Sequence, residues 1–242
     1  MNISMARVRA ISRKEFRDYR RNRFVVFTMA ISPVVFVVWS LISILLIPAS
    51  QSSSALNAQV GLSMLFILLV PAVVPATISA YSVVGEREQG TLEPVLTTPV
   101  RNDEFLLGKA LAALVPTLAI SYAIFGLVLI SVAIFAHAAV SSAVFRAPLL
   151  LTLVLFTPLI ASWSICFGIA TSARSRDVRV AQQIATLASL PPVAVAALIS
   201  FRVLPQDLGV ALGLAAGLVV LDSLGWRAVA AMFDRERLVT KS

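Results

Sequence analysis

FVVFTMAISPVVFVVWSLISILLI, residues 24–47, has no charged side chain, and 16 of its 24 positions are Leu, Ile, Phe or Val. About 20 such residues in a helix cross a bilayer. At roughly −0.3 to −0.6 kcal/mol each, the 16 large apolar side chains favour insertion by about 5–10 kcal/mol as an upper bound. A basic stretch precedes the segment, as in a secretory signal, but the apolar run far exceeds the roughly 7–15 residues of a signal core, so a retained span is expected.

Working outward, no Asp, Glu, Lys or Arg occurs anywhere in 24–85, and the Ser-rich break at 48–54 divides that interval into two crossings, about 24–47 and 60–84. Further uncharged intervals at 110–145, 147–173, 180–201 and 208–221 predict spans at about 110–135, 148–171, 181–201 and 208–226. The fold class expected is therefore an all-α integral membrane protein with six transmembrane helices, forming a single domain over 1–242. Composition agrees: 59% hydrophobic, 13% charged, with mean hydropathy +0.92. A soluble domain of 242 residues could not bury that apolar surplus, which excludes a soluble enzyme. The net charge of +8 sits in short blocks between apolar runs, pointing to a membrane surface and not to nucleic acid. Cys166 is the sole cysteine, so there is no disulfide framework.

Basic residues orient the chain. Eighteen lie in the N-terminal segment, the loop after span two, the loop after span four and the C-terminus, whereas only Arg146 and Arg202 lie on the other face. The positive-inside bias then places both termini in the cytoplasm, in a multi-pass protein of the cytoplasmic (inner) membrane. In helical projection Met5, Val8, Ser12, Phe16 and Tyr19 form one stripe, with Arg7, Arg9, Arg13, Lys14, Arg17, Arg20 and Arg21 on the opposite arc. Residues 1–23 thus read as an interfacial amphipathic helix in contact with membrane lipids, turning into span one near Arg23; the alternative is a basic tail that serves only as a topology signal. Prolines recur within the spans, at 33, 71, 75, 116, 158, 191 and 192, where they permit kinks.

The loop 85–109 carries the most information. Thr91–Leu96 reads as a short helix that Thr98-Pro99 ends, and Asn102, followed by Asp103 and Glu104, reads as the N-cap of a second helix running into span three. Leu92, Val95 and Leu96 beside charged residues suit docking in a partner's groove or, equally, lying on the lipid surface.

The run Glu86-Arg-Glu-Gln-Gly-Thr-Leu-Glu-Pro-Val-Leu-Thr-Thr-Pro-Val100, followed by Phe105-Leu-Leu-Gly-Lys109, resembles the signature loop of type-2 permeases of ATP-binding cassette (ABC) exporters. The segments 172–183 and 232–238 are similar to that family too. The resemblance implies six spans behind an interfacial helix and a cytoplasmic coupling helix between spans two and three. Two separate ABC ATPase subunits would bind the ATP and Mg, and a second permease chain, identical or related, would complete the assembly. Glu86, Arg87, Glu88, Gly90, Thr91, Leu92, Glu93, Leu96 and Pro99 are the expected coupling residues, the glutamates as polar anchors and Leu92 as the apolar contact. The N-terminal helix, with Arg13, Phe16, Arg17, Tyr19 and Arg20, is expected to touch the ATPase as well. The link between spans five and six, 201–207, is short compared with relatives that carry re-entrant helices there.

Catalytic chemistry is scarce. Gly108-Lys109 lacks the earlier glycine and the following Ser or Thr of a phosphate loop, so no nucleotide, cofactor or metal site is expected in this chain and any ATP hydrolysis must come from another polypeptide. His137 is the only histidine, and Asp222 is the one acidic residue expected at membrane depth, where a structural helix-end role fits its nearness to Trp226 and Arg227. The function expected is export of an apolar or amphipathic cargo, drug-like or lipid-like. The rivals are a membrane scaffold or sensor using an ATPase partner, a membrane-embedded enzyme and a secondary transporter, the last two lacking the side chains they would need.

Overall fold

The computed structural model describes residues 3–48, 52–88, 90, 100–201 and 208–232, with the side chains of Phe24 and Met232 excepted. These residues form ten helices: α1 (Met5–Arg21), α2 (Arg23–Leu45), α3 (Ser53–Leu68), α4 (Val70–Glu88), α5 (Asn102–Phe135), α6 (Ala138–Val144), α7 (Ala147–Arg174), α8 (Val178–Ala188), α9 (Leu190–Ser200) and α10 (Leu208–Met232). No strand occurs among the described residues. Among the described residues six helical stretches are long and apolar enough to cross a membrane: Val25–Leu45, Ser53–Glu88, Asn102–Phe135, Ala147–Arg174, Val178–Ser200 and Leu208–Ala231.

One residue makes the turn from α1 to α2. Asn22 leaves helical geometry, and its side-chain oxygen accepts a hydrogen bond from Val25 N–H at 3.3 Å, capping α2. Two spans are broken partway. Pro71 lacks the donor that would continue α3, so the second span restarts as α4 after Leu69. The fifth span divides at Ser189, where Pro191 and Pro192 occupy the opening turn of α9. The broken spans pack together: Gly61 of α3 lies against the Ser200 backbone at the end of α9, and Gln182 of α8 donates to Thr77 Oγ of α4 at 3.0 Å.

Burial separates the spans sharply. In the second span 72% of the most apolar window is buried, against 17% in the first and third. α4 is therefore the central helix, and α2 and α5 offer large apolar faces outward, where Phe27, Val34, Val35, Ile130 and Ile134 are exposed. Small residues let α4 meet α7 closely. A Cβ on Gly168 would overlap Ser79 Oγ and lie 2.7 Å from Ser79 Cβ.

Four expectations shift. The second span begins earlier and ends later than 60–84, because its helix continues into the loops on both sides. Helix α5 starts at Asn102 with Arg101 as its cap, since the Glu104 carboxylate accepts from Arg101 N–H at 3.2 Å; Asn102 is the first helical residue and not the cap. A short helix, α6, joins the third and fourth spans and buries Val140, Ala143 and Val144. Asp222 sits inside α10, ten residues from its end, so the helix-end role does not apply.

Candidate partner-docking face

At 34 residues α5 is about 51 Å long, some 20 Å more than the hydrocarbon layer requires. About 12 Å of the excess is its charged start, Asn102 to Lys109, and α1 docks there. Ser12 Oγ donates to Gly108 O at 2.9 Å, and Gly108, having no side chain, lets Ile11 and the Val8 carbonyl approach closely. Ser4 N–H donates to Glu104 Oε1 at 2.8 Å, and Arg7 pairs with Glu104 at 3.3 Å.

Beneath this contact is a buried ion network. Lys109 Nζ, with no exposed side-chain surface, lies 2.9 Å from Glu15 and 3.1 Å from Glu86, donates to Ser82 O at 2.6 Å and stands 4.9 Å from the centre of the Phe105 ring. Lys14 pairs closely with Glu86, and with Glu15 at 3.4 Å and Asp18 at 3.5 Å. Two lysines and two buried glutamates thus balance across α1, α4 and α5. Burial disfavours the Glu15 carboxylate, but Lys109 and Lys14 outweigh it and hold Glu15 below its ordinary value. For Lys14, burial again opposes the charge, and Glu15 and Glu86 raise it above its ordinary value. Burial, followed by the Glu15 charge, pushes the Tyr19 hydroxyl well up.

The other side of the last α4 turn is held by α7. Ser172 Oγ accepts from the N–H groups of Val83 and Val84, each at 3.0 Å, and donates to Ala80 O at 2.5 Å. Arg87 donates to Ser175 O at 2.9 Å and Ala173 O at 3.4 Å, capping the carbonyl end of α7. After Glu88 the chain turns at Gly90, whose φ of +67° favours glycine. Asp177 opens α8 by accepting from Arg179 N–H at 2.6 Å. Asn22, Tyr81, Glu88, Asp177, Val178 and Arg179 line a polar cleft of about 380 Å³ at this end of the molecule.

Of the expected coupling residues, Glu86 is buried inside the chain, engaged by the two lysines, and not outward as an anchor; Arg87 is half-buried on α7; Glu88 and Gly90 are exposed. Thr91, Leu92, Glu93, Leu96 and Pro99, and the short helix expected at 91–96, lie outside the described residues. On α1, Arg13, Arg17 and Arg20 are exposed, Phe16 is half-buried and Tyr19 is buried. The apolar stripe faces protein over Val8, Ser12 and Tyr19, while Met5 is exposed. Lys14, read as part of the outward basic arc, turns inward because Glu86 and Glu15 stand beside it. Sequence reading missed the roles of Glu15 and Lys109; an acidic residue between the stripe and the basic arc, and a lysine two turns inside a mostly apolar helix, were the available signals. Among the described residues no three His, Cys, Asp or Glu side chains gather as a metal site. Asp222 is buried, and its Oδ1 has no hydrogen-bond partner among the described residues.

A six-span helical bundle with a docked N-terminal helix and a braced last turn of α4 defines a multi-pass membrane protein built around its second span. The family model described as ABC-2 family transporter protein matches residues 9–199, and the chain belongs to that family. It is an ABC transporter permease, the membrane component of a transport system whose members generally work with ATPase partners. No curated protein matches the chain.

Proposed function

We propose that the chain is the permease subunit of an exporter in the cytoplasmic membrane, with both termini cytoplasmic, paired with an identical or related permease and driven by two ATPase subunits. The observation that carries the reading is the last turn of α4, which leads into loop 89–101 and is tied at once to α1, α5 and α7. A push delivered on that loop cannot be absorbed locally. It passes to three helices, and the breaks at Leu69 and Ser189 in two adjoining spans supply joints at which the pathway can rearrange. Such a switch needs a partner that binds the two arrangements with different affinity, which ATP-dependent closure of the ATPase pair provides. The polar cleft beside Glu88, with Asp177 and Arg179, fits the rim of that contact. Spans that are nearly free of charge suit an apolar or amphipathic cargo, drug-like or lipid-like.

The test is purification of the tagged chain from its native membrane in mild detergent, followed by an ATPase assay. A stoichiometric ATPase should accompany it, and arginine at both Leu92 and Glu93 should abolish transport while preserving expression. Unchanged transport by that double variant would overturn the role of the loop. Recovery of the chain alone, without ATPase activity after candidate subunits are added, would overturn the exporter reading.

A further inference from the structure

Beside Tyr19, which borders the ion network, α1, α2 and α5 enclose a groove of about 630 Å³, within the range of about 300–1,000 Å³ usual for ligand sites. Phe16, Tyr19 and Arg20 form its α1 end, and Ala30, Pro33 and Pro116 are among the residues of its walls. The walls are apolar and no acidic residue lines them. Arg20 is exposed and forms neither an ion pair nor a hydrogen bond among the described residues. Arg13, Arg17, Arg21 and Arg23 are exposed around it.

We infer that this groove seats one anionic phospholipid of the leaflet adjoining α1, its phosphate on Arg20 and an acyl chain between α2 and α5. The dimensions match: from Val26 to Val34 the α2 wall runs eight residues, about 12 Å, against about 15 Å for half a hydrocarbon layer. Guanidinium groups take phosphate oxygens in pairs. A headgroup bearing net negative charge is favoured because the surrounding arginines would repel a headgroup that carries its own cation. A second copy of the chain is a poorer occupant, since a twofold contact here would set Arg20 and its neighbours against the same residues of the other copy.

This inference is independent of the ATPase partner. The full chain, purified in neutral detergent, is titrated with phosphatidylglycerol or phosphatidylcholine and examined by native mass spectrometry. One phosphatidylglycerol per chain should be retained in preference to phosphatidylcholine. Arg20→Gln should lower its occupancy about fivefold, the factor for one arginine at an anionic surface. Ala30→Trp should fill the slot and remove the lipid, and Arg9→Gln, exposed on α1 but outside the groove, should change nothing. Equal retention of both lipids, an equal loss in Arg9→Gln, or a dimer that Ala30→Trp splits without affecting lipid would each overturn the assignment. Arg20→Gln decides the matter even where Ala30→Trp fails to fold, and the Leu92 and Glu93 variant should keep its lipid whatever becomes of transport.

Discussion

Replacing Lys109 with methionine removes the deeper of the two lysines that anchor α1. In the intact chain Lys14 and Lys109 balance Glu15 and Glu86, and both carboxylates are nearly inaccessible, at 4% and 8% side-chain exposure. The variant leaves Lys14 alone against two buried carboxylates, a net charge of −1 in a site that water barely reaches. Deleting one partner of a buried ion pair costs about 3–5 kcal/mol, because the other partner stays desolvated and unpaired. The cheapest relief is for α1 to lift off α5, so the cost appears as opening of α1. At about 1.4 kcal/mol per decade, its amides should exchange hydrogen between two and four orders of magnitude faster than in the parent. Hydrogen exchange of the chain in lipid nanodiscs, read by mass spectrometry on peptides covering Met5–Arg21, measures this. Combining Lys109→Met with Glu15→Gln restores neutrality, leaving Lys14 paired with Glu86, and should recover at least tenfold of the lost protection. Exchange in Lys109→Met within threefold of the parent, or a double variant no better protected than the single one, would refute the claim that charge balance holds α1 down.

In the parent, the pH dependence of α1 docking follows from Glu15 and Lys14, the charged groups on α1 whose titration is shifted; the Tyr19 hydroxyl, pushed up, stays neutral across the same range. Glu15 titrates below its ordinary value, so its contribution is present above that value and lost only as pH falls through the folded one; Lys14 titrates above its ordinary value, so its contribution is present below that value and lost only at strongly alkaline pH. A spin label at position 5, in a background with Cys166→Ser, should keep constant mobility between about pH 5 and pH 10, and a transition inside that window would refute the network as drawn. Packing supplies a separate expectation: Gly168→Ala should lower stability by about 1–3 kcal/mol, because the new methyl overlaps Ser79, whereas Gly217→Ala has open space and should be neutral. Thermal unfolding in detergent compares the two, and equal midpoints would show that the α4–α7 contact is looser than described.

Much of the architecture could be read from residue types. Apolar runs must be long enough to cross a bilayer and charges must stay out of it, so the number of candidate spans followed from where Lys, Arg, Asp and Glu are missing. The α1 helix followed from periodicity, and the resemblance of loop 86–100 pointed to the family that the match over residues 9–199 establishes. The exact start of α5 did not follow, because whether Arg101 or Asn102 caps it depends on where the Glu104 carboxylate lands.

Span order also carries no information on depth. Residues 24–47 and 60–84 read as equally apolar, yet one faces outward and the other is the centre of the bundle, because lipid and protein interior make nearly the same demand on an apolar side chain. What separates them is close approach: small residues such as Ser79 and Gly168 can meet only once two helices have been brought together. The polar site shows the same division. The sequence by itself determined that charge gathers at the ends of the spans, since burying it unpaired is too costly. Only the tertiary structure decided that Lys14, Glu15, Glu86 and Lys109, up to 95 positions apart, are one neutral cluster, because a buried charge is stabilised by whichever opposite charge the fold places within about 3 Å of it, and sequence separation has no bearing on that distance.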